Sequence, residues 1–118
     1  MIIEIEFLVP IKEDRFAGNG ELHPFDRWQW LEKEMYIRFK GWTRAPMAYN
    51  GVYEDEDTKE MVSDESRKYI VAIEKEKEGE VKKMLEEIAI EFRQKSIYMS
   101  VAGKVIFIKG VKKHGKQK

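Results

Sequence analysis

Ile2-Ile3-Glu4-Ile5-Glu6-Phe7-Leu8-Val9-Pro10 is the stretch from which the fold can be read. Ile3, Ile5, Phe7 and Val9 alternate with Ile2, Glu4, Glu6 and Leu8, and Pro10 ends the run. A period of two marks a strand with one firmly apolar face and one mixed face. Outward from it the period changes in a set order: helical, two extended stretches, helical, extended again. On residues 25–39, Phe25, Trp28, Leu31, Met35 and Phe39 share one stripe at helical spacing. Asp26 supplies a cap or first-turn acid, and Gly41 stands where a left-handed residue closes a helix.

Residues 42–53 read as an extended edge stretch interrupted at Pro46. Glu54-Asp55-Glu56-Asp57 makes a polar turn, and the chain returns through Met61 and Val62 to Tyr69, Val71 and Ile73. A bulge or break is expected near Ser63-Asp64. Val81, Met84, Leu85, Ile88 and Phe92 stripe a second helix, and one last strand is expected over 97–108. The predicted architecture is an α+β, ferredoxin-like β-α-β-β-α-β sandwich. It has a four-stranded antiparallel sheet of order 4-1-3-2, with two helices on one face because crossovers are right-handed. Residues 1–108 form the expected single domain, and 109–118 a basic tail expected to be disordered.

Composition narrows the function classes. The chain has 118 residues and no cysteine, so disulfides and thiolate metal sites are absent. Twenty-two basic residues balance twenty-two acidic ones, which gives no general attraction to nucleic acid or anionic membrane. Charged residues reach 37%, rich in Glu and Lys, a composition typical of hyperthermophiles. Glu4 and Glu6 interrupt any signal-peptide core, and no apolar run approaches the ~20 residues of a membrane span. A cytoplasmic location is expected.

If Ile3, Ile5, Phe7 and Val9 face the helices, Glu4 and Glu6 face outward from a central strand. The companions on that open face would be Lys68, Ile70 and Ala72, then Tyr98, Ser100, Ala102, Lys104, Ile106 and Ile108. RNA-binding sheets need stacking aromatics on their central strands, and these positions hold carboxylates and aliphatics. Nucleic acid is therefore a weak partner, and a homodimer through the open face is the expected assembly. Trp30 and Ile37, opposite the core stripe of the first helix, are either a second contact patch or scattered surface residues.

Candidate chemistry is sparse. His23 ends a loop containing Gly18-Asn19-Gly20 and reads as a surface histidine, though one able to titrate near neutrality. That loop lacks the lysine and spacing of a phosphate cradle and reads as a flexible connection. The acidic turn lacks the glycine and distant glutamate of a calcium loop and reads as a solvated turn. No metal and no cofactor is expected. Trp42, Arg44, Tyr49, Asn50 and Tyr53 gather aromatic, guanidinium and amide groups that could line a pocket for a small anionic ligand, with His23 as a proton carrier.

Several short motifs resemble an uncharacterised family of small bacterial and archaeal ferredoxin-like proteins. They are Arg38-Phe39-Lys40-Gly41-Trp42-Thr43 at a helix end, Gly51-Val52-Tyr53 before acids, Ser66 before an apolar strand, and Phe92-Arg93-Gln94 leading to Ser96-Ile97. The resemblance spans residues 5–108. It implies the ferredoxin-like fold and association, and no activity. The leading expectation is a non-enzymatic dimeric module that binds a protein or small ligand. The alternatives are a small dimeric α+β-barrel enzyme with its cleft near residues 42–53, in one version a haem protein ligated through His23, and a nucleic-acid-associated protein.

Overall fold

A computed structural model describes residues 1–110. The elements run β1 (Ile2–Pro10), α1 (Phe25–Phe39), β2 (Thr43–Arg44), β3 (Tyr49–Glu54), β4 (Met61–Glu74), α2 (Glu78–Glu91), β5 (Ser96–Val101) and β6 (Lys104–Lys109). They make an α+β structure of one antiparallel sheet and two helices. The sheet has six strands rather than four, in the order β2-β4-β1-β5-β6, with β3 also on β4.

Two departures account for the extra strands. The stretch over 42–53 divides around Pro46: β2 pairs Thr43 with Ile70, and β3 pairs Tyr49 through Glu54 with Ser66 through Met61. A proline has no N–H for a ladder, so the edge breaks there. The last strand folds back on itself. Ala102 and Gly103, at φ 50° and 80°, form a two-residue turn of the left-handed kind that matches hairpin twist. Met99 thereby opposes Ile106 and Ile97 opposes Ile108. Ile106 and Ile108 turn toward the core, and Val105 and Phe107 take the open face, the reverse of the expectation for a straight strand.

Alternation in β1 holds as read. Ile5, Phe7 and Val9 are buried, in one core with Tyr69, Val71, Ile73, Ile97 and Met99. Leu31 and Met35 of α1 join the same core, as do Val81, Leu85 and Ile88 of α2, so both helices cover one sheet face. The helix ends differ in detail: Lys40 rather than Gly41 takes the left-handed position, donating its N–H to the Tyr36 carbonyl. Ser63 and Asp64 pair without a bulge, so β4 is one unbroken strand of 14 residues. Trp30 packs against the core and Ile37 is exposed. Lys109 ends β6, and the expected disorder of the remaining tail lies outside the described residues.

Candidate functional site

Beyond Ser66, the outer half of β4 leaves β1 and takes β3 as its ladder partner, with one further bond from the Ile11 N–H to the Glu65 carbonyl at 2.9 Å. This two-stranded arm faces the loop that follows β1, and a cleft of about 690 Å³ lies between them. That size suits a small-molecule site, for which ~300–1,000 Å³ is usual. One wall is Pro10 through Phe16; the other is Asn50 through Tyr53 with Val62 through Glu65.

Register explains which groups enter. Gly51 opposes Asp64 and Tyr53 opposes Val62, so these four share one face of the arm. A Cβ at Gly51 would stand 3.2 Å from Asp64 Oδ1, so the glycine leaves room for the carboxylate. Asp64 has no hydrogen-bond or ion-pair partner among the described residues, and burial raises its pKa above the usual carboxylate value. The Tyr53 hydroxyl is also raised, by burial first and then by the nearby charges of Asp64, Asp14 and Asp55. A carboxyl held partly out of water without a counter-charge is placed to face a cationic group.

Asp55 is not part of a solvated turn. It is buried, accepting from the N–H groups of Asp57 (3.1 Å) and Thr58 (2.9 Å) and from Lys95 Nζ (3.0 Å). The Thr58 amide, then Lys95, hold its pKa down to about 2. Lysine occupies the place considered for a cation, and no group of acids and histidines among the described residues could hold a metal ion.

The six residues singled out from sequence fall in three places. Asn50 and Tyr53 line the cleft. Tyr49 lies outside it with Lys68 Nζ 5.1 Å from its ring centre, beside the 2.7 Å Lys68–Glu6 pair of the open face. Trp42 and Arg44 belong to a polar knot on the helix side: Arg44 and the Tyr69 hydroxyl (2.7 Å) both bind Glu32 Oε2, and Trp42 meets the Tyr69 ring edge-on. His23 is buried rather than on the surface, edge-on to Trp28 and Phe92. Its Nε2 donates to the Pro10 carbonyl and its Nδ1 accepts from Arg27, each at 2.9 Å, so the ring is the neutral Nε2–H form. Burial lowers its pKa to about 4. An imidazole engaged at both nitrogens offers no axial position to haem iron.

Sequence reasoning missed Asp64 and Glu13. Asp64 sat where a bulge was expected, and its importance depends on a register that only the paired strand defines. Glu13 looked like any loop acid.

No family model and no curated protein matches the chain, so the ferredoxin-like family suggested by short motifs has no support at that level. Two solved structures do match in fold. One is a phage SAM lyase in complex with S-methyl-5′-thioadenosine, with a TM-score of 0.68 and 17% identity, covering 92% of this chain and 90% of that one. The other is a phage SAM lyase in the apo state, with a TM-score of 0.67 and 17% identity, covering 95% and 92%. At this identity the likeness shows the fold. The leading expectation of a non-enzymatic module is corrected by this finding, in that both matching structures, alike over nine-tenths of this chain, are of a lyase. No helix among the described residues is long and apolar enough to cross a membrane.

Proposed function

We propose that this chain is an enzyme that takes S-adenosylmethionine into the cleft between the loop after β1 and the β3–β4 arm and releases S-methyl-5′-thioadenosine. The observation that carries this reading is the likeness, over nine-tenths of both chains, to a SAM lyase holding that thioadenosine. Two features of the cleft support it. Its volume accommodates a nucleoside, and Asp64 brings into it a carboxylate that no cation among the described residues neutralises. A sulfonium is a fixed positive charge, and a partly desolvated carboxylate attracts it far more strongly than water would allow. When the bond between sulfur and the amino-acid chain breaks, sulfur keeps the electron pair and becomes a neutral thioether. The carbon is satisfied from within the amino-acid portion: its own carboxylate oxygen forms a C–O bond as the C–S bond breaks, closing a ring, and no proton has to leave. In this reading Asp64 faces the sulfonium and Tyr53 lends its ring and hydroxyl to the nucleoside.

The ferredoxin-like plan belongs to the same proposal: β1, α1, the β2/β3 edge, β4, α2 and β5 supply it, and β6 is an added edge. So do a cytoplasmic setting and a homodimer through the open face, where Ile70 opposes Glu6 of the Glu6–Lys68 pair and Val105 and Phe107 lie exposed on β6. A monomeric mass by light scattering at micromolar concentration would remove the dimer. The activity is tested by incubating the protein with S-adenosylmethionine and separating the products. Methylthioadenosine should accumulate, and Asp64→Asn should slow it ~100-fold, the loss typical of removing one preorganised charge. No product, together with no binding of methylthioadenosine at millimolar concentration, would sink the reading.

A further inference from the structure

Glu13 lies at the root of the cleft's loop wall and is only 7% exposed. Three segments converge on its carboxylate. Oε1 accepts the Asn19 N–H at 3.0 Å, from farther along the same loop. Oε2 accepts from Arg27 in the first turn of α1 at 3.0 Å and lies 3.4 Å from Arg93, just past α2. Burial pushes the carboxyl pKa up, but Arg27, the Asn19 amide and Arg93 outweigh it and hold the group ionised. Gly18 closes over the top: a Cβ there would stand 2.4 Å from Oε1 and 2.9 Å from the Glu13 Cβ. The loop read as flexible is wrapped around a charge.

Main-chain bonds complete the tie. Glu13 donates to the Glu21 carbonyl at 2.8 Å, Asp14 donates to the Arg93 carbonyl at 3.0 Å, and Gln94 Nε2 donates to the Lys12 carbonyl at 2.8 Å. A buried ion pair contributes little net stability compared with apolar packing, and the best-attested use of such a pair is to select one conformation. The conformation selected here presents Asp14, Arg15 and Phe16 to Asp64 and Tyr53 across the cleft.

We propose that Glu13 is a positioning residue of the site: its carboxylate, gripped by Arg27, Arg93 and the Asn19 amide, fixes the separation of the loop wall from Asp64 and Tyr53. The proposal rests on the functional reading above, in that it takes this cleft as the ligand site. Two variants perturb the tie by different routes. Glu13→Gln removes the charge, whereas Gly18→Ala keeps every charge and wedges the loop away from the carboxylate. If Glu13→Gln fails to fold, Arg93→Ala removes one half-exposed partner instead.

Three measurements on the full chain decide the matter: amide hydrogen exchange over residues 11–22, calorimetric affinity for S-methyl-5′-thioadenosine well below the melting temperature, and NMR titration of the Asp64 carboxyl. Each variant should exchange faster over 11–22 and bind about tenfold more weakly, within the losses known for ångström-scale misplacement. The Asp64 pKa should fall toward its ordinary value as water enters. A merely structural Glu13 would lower the melting temperature yet leave affinity and the Asp64 titration unchanged, and that outcome overturns the proposal. If the wild-type protein neither binds methylthioadenosine nor forms it from S-adenosylmethionine, the functional reading fails, and the Asp64 titration alone then judges the tie: a fall supports it and no change overturns it.

Discussion

The two halves of β4 obey the same strand alternation and do different work. In the inner half, Tyr69, Val71 and Ile73 lie between β1 and the helices, and Tyr69 is fully buried. In the outer half, Met61 is 79% exposed, and β3 is the one strand that pairs with it. A residue's worth to stability depends on the apolar area it removes from water, so the inner half holds the fold. The outer half is left free to shape a cleft. Placing Asp64 there costs less than it would five residues on, at Tyr69, where a lone carboxylate would enter the dry core.

Several substitutions would break or sharpen this contrast. The largest effect is expected from Tyr69→Ala, at about 3–5 kcal/mol in urea unfolding, because it empties a site packed by Phe7 and Trp42. Tyr69→Phe keeps the ring and loses the bond to Glu32, and should cost about 1–2 kcal/mol. The halves should also separate by pH. His23, bonded to Pro10 where the two halves meet at Ser66, is neutral in the fold with a pKa of about 4 against an ordinary 6.5. The unfolded chain binds that proton first, so this contribution is complete above pH 6.5 and is lost as pH falls toward 4. His23→Gln should flatten the urea midpoint across that window. Asp55, at the arm, has a pKa of about 2 against 3.8, so its contribution is present above pH 3.8 and is lost as pH falls toward 2. Asp55→Asn should remove that lower window and loosen the arm in hydrogen exchange. Met61→Ser should cost less than ~0.5 kcal/mol. A cost rivalling Tyr69→Ala would mean that the arm is packed in solution, and the contrast would fail.

Much of the inner half was legible in the chain. Alternation in 2–10 and helical stripes on 25–39 and 81–92 report burial directly, because each residue's neighbours along the sequence set its face. Val105 to Ile108 misled, since four consecutive apolar residues carry no period. Their faces depend on Ala102 and Gly103 adopting left-handed angles, which an Ala-Gly pair does not announce. The site was less legible for a related reason. Asn50 and Tyr53 were placed in the right segment, but Arg44 and Trp42 are taken up by Glu32 and Tyr69, partners 12 and 27 residues away. His23 was misjudged as exposed because its burial comes from Trp28 and Phe92, and Phe92 caps the other helix. Asp64 and Glu13 acquire meaning through β3 and the two arginines.

The unbroken hairpin of β3 and β4 sets a rule for how the cleft could be altered by insertion or deletion. Its six matched pairs end at Glu54 and Met61, well clear of the core. Adding one matched pair next to Tyr49 and Ser66 would rotate every position beyond it to the opposite face, turning Asp64 and Tyr53 out of the cleft. Adding two matched pairs would restore the facing and carry the acid outward by roughly 7 Å. The depth of this cleft can therefore change only in even steps, while the core remains as it is.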